Sequence, residues 1–344
     1  MKKILSIGIV SILTMLALVA CSSDSSDEAK SNGEKEKIVV YTGRNLDLVE
    51  PLVEQFEKDS GIEVELREGE SAELATQIVT EGKSTKADVF FSQDAGALGL
   101  LDSNNLLAKI PSDVTKDVEE RFKSTDDTWV GTSGRARVLV YNESIGTEFP
   151  KTLDEIVSPE YKGKIGYAPT NASFQSFVTA LRQDLGEDGA KDWLEKFAAN
   201  EPKVYEKNGV IVKAVNDGEI PMGLVNHYYL FELTEEIGAD KINAKNYFFE
   251  DNSAGSLINA AGLGILKSSD NKSAAQEFVE YFIGEKGQDY FVNETFEFPV
   301  IPSVRPASGL PELSQISKFD FDLADLESLD QTIELLDEVG LLTK

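Results

Sequence analysis

The chain of 344 residues holds one cysteine and one histidine. A lone cysteine forms no disulfide within the chain, so the fold must rest on its own apolar core. The single histidine, His227, cannot build a histidine-rich zinc or copper site. Nor does it have a Gly-x-Ser-x-Gly segment to join in a hydrolytic triad. No Walker-type phosphate loop and no dinucleotide fingerprint occur, and these absences together argue against an enzyme. Basic residues are scarce as well. There are 33 Lys and Arg against 61 Asp and Glu, a formal charge of -28. Such a balance repels nucleic acid and anionic headgroups. It favours solubility and, where acid lines a site, cation capture. Internal repeats, heptad arrays and long proline-rich stretches are missing too.

What is present begins with an export signal. Residues 1–21 carry Lys2 and Lys3, then an apolar stretch interrupted only by Ser6, Gly8, Ser11 and Thr14. The stretch ends in Leu18-Val19-Ala20-Cys21, which resembles the bacterial lipobox. That resemblance implies lipidation of Cys21, an extracytoplasmic location, and membrane attachment only through that lipid. Residues 22–37 are rich in Ser, Asp, Glu, Lys and Gly and read as a solvated tether. About 300 residues remain, enough for one large or two medium domains.

Period and composition give a βαβαβα rhythm after the tether. Strands are expected at 38–41, 62–66 and 87–91, and helices at 46–59, 74–81 and 95–101. A second α/β region follows, with strands at 137–141, 165–167, 222–225 and 257–266. Its helices are expected at 174–185, 188–199, 210–216, 273–283 and 326–339. The fold class is α/β, with ligand-binding loops at the carboxyl ends of strands. Residues 42–45, 92–94, 169–173 and 226–229 are such loops, able to converge on one cleft.

The adjacent phenols Tyr228 and Tyr229 follow the last of these strands. A phenolate is a hard anionic donor, and hard, highly charged cations prefer oxygen. At a helix start, successive side chains lie roughly 100° apart, so both rings can reach one ion. Ferric iron is the candidate cation.

Several segments then resemble, in order, the ferric-iron-binding proteins of ABC transporters. They are Tyr41-Thr42-Gly43-Arg44, Ala87-Asp88-Val89-Phe90, Ser133-Gly134-Arg135-Ala136-Arg137-Val138, the run from Tyr161 to Thr170, and Asn226-His227-Tyr228-Tyr229. The resemblance covers essentially the whole mature chain. It implies a two-lobe type II periplasmic-binding-protein fold with mixed, mostly parallel sheets and a two-strand hinge. The crossings would fall near 135–141 and 257–264. Lobe 1 would comprise 38–136 with 263–305, and lobe 2 would comprise 137–262 with 306–344.

The family implies ferric iron held by Tyr228 and Tyr229, with carbonate, phosphate or a carboxylate completing the shell. Asn45 stands where many members supply a histidine, and Gln93 where many supply a glutamate; both are carried as ligand candidates. Arg44, Arg135, Asn171, Ala172, Ser173, Asn208 and Asn226 are candidates to hold the anion or to hydrogen-bond around the ion, and Arg137 is a further counter-charge. Tyr41 and Tyr167 are expected to pack. The implied partners are a permease and its ATPase, with the chain acting as a monomer. The alternative is a receptor of the same fold for thiamine, a phosphonate, a polyamine or another small organic ligand.

Overall fold

The computed structural model describes residues 36–342, apart from Thr147 and seven residues between 317 and 327. Cys21 and all but the last two residues of the 22–37 segment lie outside the described residues. In chain order the elements begin with β1 (Lys37–Thr42), α1 (Leu46–Ser60), β2 (Glu63–Glu68), α2 (Ser71–Glu81), β3 (Val89–Ser92) and α3 (Ala95–Ser103). There follow α4 (Ser112–Thr115), β4 (Trp129–Asn142), α5 (Leu153–Ile156), β5 (Ile165–Tyr167), α6 (Ala172–Ala199), β6 (Lys203–Val204) and α7 (Asn208–Asn216). The remainder are β7 (Met222–Asn226), α8 (Tyr228–Ile237), β8 (Ala244–Tyr247), β9 (Ile258–Ile265), α9 (Lys272–Ile283), α10 (Glu285–Asn293) and α11 (Leu329–Glu338).

Local chemistry explains most boundaries. In α1 the buried residues Val49, Leu52, Val53 and Phe56 follow the helical period, Asn45 caps the start, and Gly61 at φ 79° ends it. The stretches expected at 174–185 and 188–199 are the two helical segments of α6. Gly186 breaks it with a non-helical φ of 72° and ψ of 168°. No helix among the described residues is long and apolar enough to cross a membrane.

The strands run in the order β2-β1-β3-β9-β4-β7-β5-β6, with β8 also paired to β4. The parallel pairs are β1–β2, β1–β3, β5–β6 and β5–β7. Every antiparallel pair contains β4 or β9. The architecture is therefore the mixed α/β type II binding-protein fold, with the antiparallel share supplied by two long strands.

Of these, β4 is the organising element. Trp129 to Ala136 pair with β9, whereas Arg137 to Asn142 pair with β7 and β8. One strand thus passes from one set of partners to the other between Ala136 and Arg137. Sequence expectation places a strand only at 137–141, since glycines and hydroxyl residues in 131–134 carry no strand pattern. Burial resolves the discrepancy. Thr132 Oγ1 donates to the Ala261 carbonyl at 3.3 Å and Ser133 Oγ donates to Glu297 at 2.8 Å, so the polar residues find partners inside.

The loop after β1 is fixed by close approach to α2. A Cβ on Gly43 would stand 1.9 Å from Ser71 Oγ and 2.8 Å from its Cα. That same Oγ accepts the Gln93 backbone N–H at 2.9 Å, tying in the loop after β3. Gly43→Ala is expected to part the loop from α2 and to lower stability by about 1–3 kcal/mol. Urea denaturation of the variant against the parent checks this.

Candidate functional site

Four strand ends meet at one cleft of about 950 Å³. The loop after β1 brings Gly43, Arg44 and Asn45; the loop after β3 brings Gln93; the segment after β5 brings Thr170 to Ser173; the end of β7 brings Asn226, Tyr228 and Tyr229. This convergence is where an α/β sheet places ligands, at the carboxyl ends of its strands. Arg135 also lines the cleft, together with the acidic residues Glu68, Glu70, Glu73, Glu206 and Glu232.

The two phenols open α8, so they are displayed by a helix start rather than by a strand. Their ring centroids lie 4.4 Å apart at an interplanar angle of 31°. Tyr228 is 3 % exposed and Tyr229 is half-buried. Burial pushes the Tyr228 hydroxyl well above the ordinary phenol value, and the neighbouring Tyr229 adds to the shift. Burial also raises Tyr229, against hydrogen bonds from Tyr228 and Asn208. Both are therefore protonated at neutral pH, and only a strong positive charge makes ionisation favourable.

His227 does not point into this cleft as a ligand. It is fully buried. Its Nδ1 accepts the Ala136 N–H at 3.1 Å, and its Nε2 lies 2.8 Å from the Phe296 carbonyl. Those partners require the neutral tautomer with the proton on Nε2. The His227 N–H also donates to the Ala136 carbonyl at 3.0 Å. One residue thus pins the start of α8 to β4 at its partner switch and to the loop at Phe296. That loop is strained, with Phe296 at φ 56°, and is held further by stacking on Phe231.

The strained loop positions Glu297, which sequence reading did not single out. Arg44 grips its carboxylate with two bonds of 3.0 and 2.9 Å. Ser133 and Thr295 donate to it at 2.8 and 3.1 Å, and Arg135 Nε lies 3.8 Å away. Burial alone would raise this carboxyl, but Arg44 and Arg135 outweigh burial and hold it below its usual value. The two candidate amide ligands are engaged in the same scaffold. Gln93 Oε1 accepts from Arg44 at 2.9 Å and its carbonyl accepts from Arg135. Asn45 Oδ1 caps α1 through the Asp47 N–H at 3.0 Å.

The remaining candidates assemble at the start of α6. Asn171 caps the helix, accepting the Ser173 N–H at 3.0 Å and the Ser173 hydroxyl at 2.6 Å. Asn208 Nδ2 donates to Ser173 Oγ at 2.9 Å, while its Oδ1 is buried without a partner. Arg137 lies beneath, reaching Ser173 Oγ at 3.3 Å and the Leu224 carbonyl at 3.1 Å. No carboxylate pairs with it, and burial lowers its pKa to about 9. Asn226 is buried and lines the cleft. Tyr41 and Tyr167 pack as expected. Tyr41 accepts from Arg67 at 3.3 Å and Tyr167 donates to the Leu341 carbonyl at 2.9 Å.

Glu232 is the other residue missed by sequence reading. It lines the cleft, and burial pushes its carboxyl up to about 7, with nearby Glu297 adding to the rise and Arg44 opposing it. Its signal is helical spacing from the tyrosines, visible only once 228–237 is assigned as a helix. Glu297 had no local signal, being 253 residues from Arg44.

Two measurements check this scaffold. Glu297→Gln leaves Arg44 and Arg135 buried without their counter-charge and is expected to cost about 3–5 kcal/mol of stability in denaturant titrations. His227, lowered by burial from 6.5 to about 4, is expected to stay neutral in the folded protein at neutral and mildly acidic pH. The unfolded chain's histidine titrates at its ordinary value. The stability contributed by neutral His227 is therefore complete above pH 6.5 and lost as pH falls toward about 4. As the chain has one histidine, its imidazole NMR signals are unambiguous. A midpoint between about pH 6 and 7 in the folded protein contradicts the buried tautomer.

Residues 84–325 match the family model described as bacterial extracellular solute-binding protein. The Fe(3+)-binding periplasmic protein of Serratia marcescens is 33 % identical over 338 residues, covering 97 % of this chain and 99 % of that one. The major ferric iron-binding protein of Neisseria meningitidis is 31 % identical over 308 residues, covering 88 % and 93 %. Among solved structures, iron-bound HitA from Pseudomonas aeruginosa superposes with a TM-score of 0.83 at 30 % identity, covering 89 % of this chain and all of that one. The Trichodesmium protein in complex with iron and citrate gives 0.78 at 29 % identity, covering 89 % and 99 %. The chain belongs to the family of bacterial extracellular solute-binding proteins.

Proposed function

We propose that this protein captures ferric iron in the cleft and hands it to an ABC permease driven by its ATPase. The observation that carries the reading is the pair of adjacent, buried phenols at the start of α8. Two neutral phenols with ring centroids 4.4 Å apart and hydroxyls hydrogen-bonded to each other suit a trivalent cation, which displaces both protons and binds both oxygens. The acid-rich lining supports a cationic cargo, since Arg44 and Arg135 face Glu297 and leave the surrounding glutamates in excess. The iron-binding descriptions of the Serratia, Neisseria and Pseudomonas relatives point the same way.

In this reading Tyr228 and Tyr229 are the ligands. Asn45 and Gln93 shape the wall, because their side-chain oxygens already serve α1 and Arg44. Two phenolates leave about one positive charge on the ion. Carbonate, phosphate or a carboxylate completes the shell at the start of α6, where Ala172, Ser173 and Asn226 line the cleft with Asn208 and Arg137 behind. The lobes, 38–136 with 263–305 and 137–262 with 306–344, close over the cargo about the β4–β9 crossing. The chain works as a monomeric binding protein rather than a catalyst, outside the cytoplasm, tethered by lipid on Cys21.

Ferric titration of the apo protein is expected to produce a visible phenolate-to-iron band. Tyr228→Phe and Tyr229→Phe should each lose that band or weaken ferric affinity at least about 10-fold. Because each phenol must release a proton, affinity at fixed free ferric ion should rise with pH, by up to ~2 decades per pH unit while both hydroxyls begin protonated. Absence of a band, together with binding of thiamine or a phosphonate, contradicts the ferric reading.

A further inference from the structure

Glu232 stands three residues after Tyr229 and four after Tyr228 in α8. That spacing places side chains on one face of a helix, with Cβ atoms roughly 5–6 Å apart. All three residues line the same cleft. Among the described residues no hydrogen bond or ion pair engages the Glu232 carboxylate, which is half-buried at the cleft. Its charged surroundings do not satisfy it either. Arg44 lies within electrostatic reach, but both of its terminal nitrogens already bind Glu297. Glu297 and the phenols are themselves acidic. A half-buried carboxylate among other acids, with no ion-pair partner among the described residues, is stabilised by an incoming cation.

We propose that Glu232 supplies a third anionic oxygen to the cargo ion, alongside Tyr228 and Tyr229. The assignment rests on the ferric reading of the tyrosine pair and extends it. It also accounts for the engagement of Gln93 and Asn45 elsewhere. A single helix, α8, brings the anionic donors, and the two amides across the cleft need not ligate. Two phenolates and one carboxylate carry three negative charges, equal to the charge of ferric ion. A small anion at the start of α6 then fills open coordination positions rather than neutralising the ion, so ferric binding does not require one for charge balance.

The test uses the intact protein, ferric iron delivered from a chelate buffer, and two readouts: affinity by competition and the position of the visible phenolate-to-iron band. Glu232→Gln keeps shape and removes the charge. It is expected to lower ferric affinity at least about 10-fold and to move the band to longer wavelength, because iron that has lost an anionic donor accepts phenolate charge more readily. If the variant keeps the parent's affinity and band position while Tyr228→Phe still abolishes colour, the Glu232 assignment fails and the tyrosine reading stands. An affinity loss with an unmoved band makes Glu232 a distant electrostatic contributor, which also overturns ligation. If the parent protein itself forms no coloured complex, both readings fall together.

Discussion

Removing two neighbouring phenols from water is the constraint on which the rest of this structure depends. In solvent, each hydroxyl would ionise near its ordinary value of about 10. In the cleft, burial raises both further, so ionising the pair costs more than ionising a solvated phenol. Under the ferric reading proposed above, that cost disfavours weakly charged ions before any particular ligand geometry does. A monovalent or weakly polarising ion cannot displace two protons from groups held this far above neutrality.

Keeping the phenols in that position takes a scaffold drawn from distant parts of the chain. β4 changes partners at Ala136, and His227 binds both the N–H and the carbonyl of that residue. Its other ring nitrogen faces the Phe296 carbonyl. Gly134 forms a backbone bridge to Phe298, with bonds of 2.7 and 2.8 Å in the two directions. Between those anchors sits Glu297, which fixes Arg44 and, through it, Gln93. This part of the cleft wall is therefore an internal ion cluster in which Arg44 and Arg135 share one carboxylate. The glutamates on the lining outnumber Lys207 and set the rest of the local field.

The sequence disclosed the elements whose signals are local. The period of α1, the strand at 62–66, the separation of 174–185 from 188–199 and the loops that end β1, β3, β5 and β7 were all legible, and so was the tyrosine pair. What stayed hidden depended on contacts across the fold. The first half of β4 looks like a loop because its polar residues and glycines are strand-compatible only when Ala261 and Glu297 satisfy them. Glu297 lies in an unremarkable segment and gains its role from Arg44 at the other end of the chain. Asn45 and Gln93 were placed correctly in the cleft, yet pattern alone could not tell that their oxygens would be taken by a helix cap and by an arginine. Glu232 was concealed by its ordinary place in an acidic chain.

The most direct test of the central claim is diffraction from crystals of the iron-loaded protein, collected on either side of the iron absorption edge. The account predicts one anomalous peak in the cleft, within bonding distance of the hydroxyl oxygens of both Tyr228 and Tyr229. A peak away from those oxygens, or a loaded crystal in which either hydroxyl points away from the metal, would contradict it.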